Sequence, residues 1–272
     1  MTGNPLGETI AAPEHYDPGI LYPIARSSAR QTLGIDNNLP MYGFDHWHAF
    51  ELSWLNSQGK PEVAVAEFFF DADSEYIVES KSLKLYLNSL NQERLEGKNQ
   101  LASMLGRDLS AISKSQVKVH IFDVEDKQFC ELSCSRGRSI DNHQVEVSHY
   151  LPCGDFLATS DKTVVEEELS SQLFRSNCPV TGAPDWARVL ISYSGLKIDQ
   201  HGLIKYLCSY RQHQGYHEEC AERIYRDLML YCKPQKLILC MNYLRRGGLD
   251  INVYRSSAPI SYQQILSRIS RQ

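Results

Sequence analysis

The chain has 272 residues, of which 42% are hydrophobic and 22% charged, and its formal net charge is −5 at pH 7. This length and composition predict one large or two small globular domains with a substantial core. The acidic balance and the lack of any basic run argue against direct nucleic-acid binding. No apolar stretch approaches the ~20 residues of a membrane-spanning helix, so we expect no membrane association.

The beginning of the chain and its cysteines indicate a cellular compartment. The first residues lack the basic and apolar regions of a secretory signal, and the eight cysteines are too sparse for a disulfide scaffold. We therefore expect a cytoplasmic protein with reduced thiols. Residues 1–38 are rich in Pro, Gly, Asn and Ser, which is typical of an N-terminal arm or of disorder.

Residues 39–160 are predicted to form a first lobe. β-Branched and aromatic residues indicate strands, and apolar residues at a spacing of three and four indicate a helix. Strands are predicted at 47–54, 62–70, 75–78 and 116–124, and a helix at 98–113.

Residues 161–272 are predicted to form a second lobe with a similar order of elements. Strands are predicted at 188–193, 236–243 and 251–254, and helices at 199–211, 217–232 and 262–269. The stretch 77–90 aligns with 190–203 at an offset of 113 residues. Further on, 106–109 lies near 225–228 at an offset of 119, after a gap of six residues, and together the matches indicate a duplicated unit. The acidic run 166–168 is interpreted as a solvated link between the lobes.

The stretch FRSNCPVTGAPDWAR, residues 174–188, is the main candidate for chemistry. Pro179 and Gly182 indicate a loop around Cys178, and loops of fixed shape often present reactive groups. Asp185 follows and can fold back toward the sulfur, and a nucleophile beside an acid–base group is the minimum for covalent catalysis. The alternative is a semi-buried structural thiol in a turn.

A second candidate is GYHEEC, residues 215–220, at the predicted start of a helix. Glu218 in a first helical turn is favoured by the helix dipole, so a purely structural role is one interpretation. The other interpretation is that Glu218 accepts hydrogen bonds from the N–H groups of a planar heterocycle, with His217 adding a hydrogen bond or a proton.

Two further motifs are candidates for binding anions. ESKSLK, residues 79–84, passes from a strand into a helix, where Ser80 or Ser82 can cap and backbone N–H groups can receive an anion. The motif RRGG, residues 245–248, combines arginines with glycines that permit close approach to a phosphate. The alternative for both is a solvated basic turn. No GxGxxG follows a strand, so a dinucleotide would not be held as in a Rossmann fold.

Four Cys and His residues at short spacing raise the question of a metal. They are Cys208, His213, His217 and Cys220. Their spacing does not match a zinc-finger pattern, and they straddle two predicted helices. We therefore expect no metal site.

The strings ESKSLKLY, SNCPVTGAPDWARV, GYHEE and RRGGLDI, in this order and spacing, resemble the long, two-lobed NADPH-dependent 7-cyano-7-deazaguanine reductases. These are the nitrile reductases of the queuosine pathway. The resemblance covers essentially the whole chain beyond the first few tens of residues. It implies an α+β class with tandem tunnelling-fold units, each an antiparallel β-sheet with two antiparallel helices packed on one face.

The resemblance also implies an activity and a set of partners. The activity is the four-electron reduction of a small-molecule nitrile to an aminomethyl group with two NADPH. Independently of the resemblance, open edges on two small sheets favour association, and we expect a homodimer. The alternatives within the same fold are a zinc-dependent cyclohydrolase-like enzyme and a non-catalytic pterin- or purine-binding protein.

The roles of individual residues are likewise implied by the resemblance. Cys178 matches the nucleophile that forms a covalent thioimide, and Asp185 matches the general acid–base. The implied substrate contacts are Val78, Glu79, Ser80, His217 and Glu218. The implied NADPH contacts are Ser80, Lys81, Arg246 and Gly247. The mechanism requires no metal.

Overall fold

The structure is a computed structural model that describes residues 13–130, 132, 136–262 and 268–272. Its strands are β1 (Pro23–Ala25), β2 (Tyr42–Leu55), β3 (Pro61–Asp71), β4 (Tyr76–Val78), β5 (Lys118–Phe122), β6 (Arg138–Ser139), β7 (Thr159–Ser171), β8 (Arg175–Asn177), β9 (Pro184–Ile198), β10 (Lys236–Tyr243) and β11 (Leu249–Ser256). Its helices are α1 (Arg26–Leu33), α2 (Ser80–Asn88), α3 (Lys98–Ser113), α4 (Lys127–Cys130), α5 (Gln200–Cys208) and α6 (His217–Asp227). The mixture of helices with largely antiparallel strands confirms the α+β class.

The chain divides into two compact units that do not follow the predicted lobe boundaries. Unit 1 comprises Met1–Ala29, Phe44–Glu131 and Arg245–Ile251, and unit 2 comprises Arg30–Gly43, Leu132–Leu244 and Asn252–Gln272. The segment before residue 160 joins unit 2 because β6 pairs with β7 there. The end of α1 also belongs to unit 2, where Arg226 donates to the carbonyl of Leu33.

Unit 1 contains a three-stranded antiparallel sheet in the order β5–β3–β2. The predicted strands are all present, and β2 carries a bulge between Ala49 and Leu52. Helix α3 has the predicted bounds, and it contacts β4 and β5. It buries Leu101, Leu105 and Leu109, three of the apolar residues whose spacing predicted it.

Unit 2 is organised around β9, which pairs antiparallel with β7, β8 and β10. β10 pairs with β11 to form the predicted hairpin. Helix α6 contacts β10, and a π-helical turn at Leu228–Cys232 extends it to the predicted end. Helix α5 ends at Cys208, and a 3₁₀ turn replaces the last part of the predicted helix.

The acidic run at 166–168 is not the predicted link between lobes, because it lies inside β7. Glu167 and Glu168 form ion pairs with Arg138 and Arg136, respectively. The hydroxyl of Tyr193, on β9, also donates to Glu167. Arginine and tyrosine side chains on neighbouring segments therefore pair with Glu167 and Glu168, whereas the local sequence alone predicted that these carboxylates face solvent.

The two units repeat one another at an offset of 119–120 residues. Helices α2 and α5 begin 120 residues apart, and α3 and α6 begin 119 apart. Glu79 and Asp199 cap α2 and α5 in the same way. Lys114, just after α3, and Lys233, just after the π-helical turn that extends α6, both have a left-handed backbone conformation. The predicted offset of 113 for residues 77–90 was wrong, because it places α2 against the strand β9. The predicted offset of 119 for residues 106–109 agrees with the offset of α3 and α6.

Each unit also contains a buried Tyr–Asp hydrogen bond at equivalent positions. Tyr86 donates to Asp108 Oδ2 and Tyr206 donates to Asp227 Oδ2, both at 2.6 Å. Burial, reinforced by the carboxylate, raises the pKa of both tyrosines, so both stay protonated and donate. The bond joins α2 to α3 in unit 1 and α5 to α6 in unit 2.

Part of the predicted N-terminal arm is folded. β1 pairs with β4, and buried Arg26 forms an ion pair with buried Asp45 at 2.5 Å. The predicted helix at 262–269 falls largely outside the described residues. Within the described ranges no helix is long and apolar enough to cross a membrane. The six cysteines whose side chains are described are free thiols, as expected.

The repeated Tyr–Asp bond allows a matched stability test. Tyr206→Phe leaves Asp227 Oδ2 without a hydrogen-bond donor among the described residues, whereas after Tyr86→Phe the hydroxyl of Tyr16 still donates to Asp108 Oδ2. We expect Tyr206→Phe to lower the free energy of unfolding by about 1–3 kcal/mol, and Tyr86→Phe by about 1 kcal/mol or less. Urea denaturation followed by circular dichroism measures both. An equal or larger loss in Tyr86→Phe would contradict this account.

Candidate active site

Cys178 lies at the closed end of the β8–β9 hairpin in unit 2. Its backbone N–H donates to the carbonyl of Ala183 at 2.8 Å, and its carbonyl accepts from the N–H of Gly182 at 3.0 Å. Gly182 has a φ of +66°, in the left-handed region that favours glycine. The thiol is partly exposed. The predicted loop is confirmed, and it holds the thiol at a defined place within reach of solvent.

Asn177 ties this loop to the segment that precedes α6. Its N–H donates to the carbonyl of His213 at 2.8 Å, and its carbonyl accepts from the N–H of Gly215 at 3.2 Å. Its side-chain amide donates to the carbonyls of Arg211 and His213 at 3.2 and 3.3 Å. The residue next to the thiol and the start of α6 therefore form one hydrogen-bonded frame.

Asp185 lies on β9 opposite Ser176, which is two residues before the cysteine. Its carboxylate is buried, and its Oδ2 lies 3.5 Å from Nε2 of His217. Nε2 of His217 makes no hydrogen bond to any of the described residues. The structure therefore brings together two predicted site residues that lie 32 positions apart in the sequence.

The ring of His217 is held by Tyr243. The two ring centroids are 4.0 Å apart, and the Tyr243 hydroxyl donates to the His217 carbonyl at 3.2 Å. This packing leaves the imidazole little freedom, so its Nε2 has a fixed direction. Tyr243 was not among the predicted site residues, since its role depends on a partner far away in the chain.

Glu218 is the second residue of α6 and is buried, with 5% of its surface exposed. No side chain caps this helix, unlike α2 and α5, so the helix dipole acts on the acidic first turn directly. Next to it, burial raises the pKa of Glu219. A buried carboxylate at a helix start suits both interpretations given above, a structural one and the binding of N–H donors.

The Cys–His set considered for zinc does not assemble. Burial raises the pKa of the Cys220 thiol to about 12, which opposes the thiolate form that a metal needs. Burial, with Arg223 nearby, lowers the pKa of His213 to about 4. Within the described part of the chain, these four residues do not form a group with ligand atoms close together.

In unit 1, Glu79 acts as the N-cap of α2. Its carboxylate accepts from the backbone N–H groups of Lys81 and Ser82 at 2.9 and 2.7 Å. The prediction that Ser80 or Ser82 caps this helix was wrong, because the Ser82 hydroxyl donates to the Glu79 carbonyl instead. Because the Glu79 carboxylate accepts hydrogen bonds from these two N–H groups, they are not available to bind an anion. Val78 is buried at the end of β4.

The second basic motif forms a tight turn in unit 1. Arg246 and Leu249 exchange backbone hydrogen bonds of 2.9 and 3.3 Å around Gly247 and Gly248. Both glycines have positive φ, 55° and 75°, which is the pattern of a type I′ hairpin turn. A Cβ on Gly247 would lie 3.0 Å from Nζ of Lys84. The last lysine of ESKSLK therefore lies against the RRGG turn, so the two predicted basic motifs meet.

This cluster brings cations to a glycine turn, and the carboxylate of Glu51 also lies against the turn, since a Cβ on Gly248 would lie 2.5 Å from its Oε2. The exposed backbone of Gly247 lies beside the ammonium of Lys84 and follows Arg246 in the chain. A side chain at position 247 would fill the space between this backbone and the ammonium. Cations beside a glycine turn suit the phosphates of a dinucleotide. Ser80 and Lys81 are partly exposed at the start of α2.

Comparisons with known proteins identify the family. A family model described as "Nitrile reductase, 7-cyano-7-deazaguanine-reductase N-term" matches residues 12–121, and one described as "QueF-like protein" matches residues 184–261. A solved structure, the archaeosine synthase QueF-Like in the apo form, is 20% identical with a TM-score of 0.34 over 37% of this chain and 100% of that one, too low to support an argument.

Three relatives are similar over nearly their whole length, and each is named an NADPH-dependent 7-cyano-7-deazaguanine reductase. The protein from Desulfotalea psychrophila is 46% identical, over 94% of this chain and 93% of that protein. The protein from Chromohalobacter salexigens is 47% identical, over 93% and 91%. The protein from Bordetella avium is 46% identical, over 96% of both. The chain belongs to the family of NADPH-dependent 7-cyano-7-deazaguanine reductases.

Proposed function

We propose that this chain reduces the nitrile of 7-cyano-7-deazaguanine to an aminomethyl group with two NADPH, in the queuosine pathway, through a covalent thioimide on Cys178. The observation that supports this proposal most strongly is the set of hydrogen bonds in unit 2 by which Asn177 joins the Cys178 loop to the segment that leads into α6. Family membership supports the substrate and the cofactor, since the relatives are named for both.

The first step makes a bond between the Cys178 sulfur and the nitrile carbon. The thiolate, not the thiol, is the nucleophile, so the proton of the Cys178 thiol needs an acceptor. Asp185 is assigned this role: its carboxylate takes the thiol proton and passes it to the nitrile nitrogen. The product is a thioimide in which the C≡N bond has become C=N. Its imine-like carbon accepts a hydride more readily than a nitrile does.

His217 and Glu218 are assigned to binding the deazaguanine. Glu218 would accept hydrogen bonds from the amino and ring N–H groups of the base. His217 Nε2, aimed by Tyr243 and lying 3.5 Å from Asp185, would hydrogen-bond the base or move a proton. Val78, Glu79 and Ser80 of unit 1 are proposed to contribute further substrate contacts.

Each of two successive NADPH molecules would supply one hydride of the reduction when bound. Ser80, Lys81, Arg246 and Gly247 are assigned to holding it, and the structure adds Lys84, which lies against Gly247. Arginine and lysine side chains here would pair with its phosphates.

The finer features of the architecture belong to the same proposal. Each unit contains two paired strands, then two helices, then a further strand: β2, β3, α2, α3 and β5 in unit 1, and β7, β9, α5, α6 and β10 in unit 2. This shared order supports the tunnelling fold. We assign the protein to the cytoplasm and to a homodimer that acts on a free base rather than on nucleic acid, since net charge and pattern offer no phosphate track.

The covalent step gives a direct test of Cys178. After incubation with the nitrile alone, intact mass spectrometry should show the wild-type chain heavier by the full mass of the nitrile, because addition expels nothing. Cys178→Ala should show no adduct and no nitrile-dependent NADPH oxidation. Cys208→Ala is the matched control, a partly exposed thiol outside the loop, and should retain both. Turnover by Cys178→Ala would exclude the thioimide, and the zinc cyclohydrolase and non-catalytic alternatives predict no adduct.

The role of Asp185 is tested by Asp185→Asn, which keeps the shape but cannot accept the thiol proton. We expect the rate of adduct formation and kcat to fall by roughly 10²–10⁴-fold, the usual contribution of a general acid–base group. Exposed Asp161→Asn, also in unit 2, is the control and should react as the wild type does. Stopped-flow measurement of adduct formation checks this, and an unchanged rate would assign proton transfer to another group.

The cofactor assignment is tested by Arg246→Gln. Loss of a charge-assisted hydrogen bond should raise the KM for NADPH by about 10–100-fold. Adduct formation without cofactor should be unchanged. Arg245→Gln is the control, since that guanidinium packs over the Phe50 ring at 4.5 Å, and it should leave the KM close to that of the wild type. Equal effects of the two changes would count against a specific role for Arg246.

A further inference from the structure

Unit 1 contains a buried group of two histidines and a glutamate that the reduction does not use. His46 and His48 lie two residues apart on β2, so both side chains project from the same face of the strand. Glu67 lies on β3 directly opposite His48. The three residues are 1%, 4% and 6% exposed.

The three side chains converge on one point. Nε2 of His46 lies 3.3 Å from Oε1 of Glu67, and Nε2 of His48 lies 3.6 Å from the same oxygen. All three potential ligand atoms lie within 4.8 Å of one another. A tetrahedral ion with bonds of about 2.0–2.1 Å separates its ligand atoms by about 3.3–3.4 Å. Two of the three spacings are therefore close to those of ligands around a zinc-sized ion, and the third, between the two imidazole nitrogens, is at most 4.8 Å.

The surroundings orient these atoms as metal ligands are oriented. Nδ1 of His48 lies 2.6 Å from Oδ1 of Asp250, which directs Nε2 toward the glutamate. A carboxylate behind a ligating histidine is the usual arrangement in metal sites. The ring of His46 stacks on Phe69 with centroids 4.4 Å apart. The amide of Gln128 donates to Oε1 of Glu67 at 2.7 Å and holds that carboxylate in place.

We propose that His46, His48 and Glu67 bind one divalent transition-metal ion of the zinc type, which ties β2 to β3 in unit 1. Two imidazoles and a carboxylate are ligands that such ions accept, and they leave a fourth position for water or for His120, whose Nδ1 lies 3.8 Å from Oε2 of Glu67. The site shares no residue with the Cys178 loop, and the ion has a structural role.

The rival explanation is an ion network without metal. Burial alone would lower the pKa of His48, but Asp250 and Glu67 raise it to about 9, so His48 would be a cation between two carboxylates. The two explanations predict different metal contents and different effects of replacing the three side chains, and each of these quantities can be measured directly.

The test uses the full-length, untagged protein, because an affinity tag of histidines would itself bind metal. After equilibration with zinc chloride and dialysis, elemental analysis should find about one zinc per chain, and a chelator should lower Tm. His46→Gln and Glu67→Gln should each lose the zinc and the chelator effect. His201→Gln, which alters an exposed histidine of unit 2, should keep both.

Cobalt(II) in place of zinc provides a readout that does not depend on the folding of any variant. The wild-type protein should show the visible bands of four- or five-coordinate cobalt without a thiolate charge-transfer band, since the proposed ligands contain no sulfur. Cys178→Ala should show the same spectrum. Substoichiometric metal after reconstitution, a thiolate band, or metal retained by a folded His46→Gln variant would each overturn the proposal.

Discussion

The hydrogen bonds that Asn177 makes in unit 2 join the two segments that carry the proposed site residues Cys178 and His217. Through its backbone and its amide, this one residue joins the Cys178 loop to the turn that leads into α6. Each such bond contributes about 0.5–1.5 kcal/mol net, which offsets part of the cost of about 1–2 kcal/mol for ordering each loop residue. These bonds link the backbone next to the thiol directly to the segment that leads into α6.

Helix α6 is held at a second point by a buried group of charges. Glu222 lies between Arg30 and Arg255, with N···O distances of 2.7 and 2.8 Å. A buried pair of this kind need not add stability compared with apolar side chains, but removal of one partner leaves an uncompensated charge. This arrangement connects the end of α1 to α6 and β11, and it makes the direction of the helix that presents His217 and Glu218 difficult to change.

The two units share a frame but use its connections differently. In unit 1 the connection between β2 and β3 is the short stretch 56–60. In unit 2 the equivalent connection, between β7 and β9, spans 172–183 and contains both β8 and Cys178. A longer surface connection costs little conformational free energy, which is why loops can acquire reactive groups while the sheet remains unchanged. Unit 1 instead carries the basic turn and the buried histidines.

Local chemistry determined much of this protein from sequence alone. The bounds of α3, the turn around Cys178 and the hairpin at RRGG follow from periodicity, proline and glycine, which act over a few residues. Tertiary structure alone decided the pairing of the acidic run in β7, the role of Asn177 and the meeting of His46 with Glu67. These contacts depend on partners about 20 or more residues away in the chain. The residues next to each side chain do not determine which distant strand or carbonyl group it will contact.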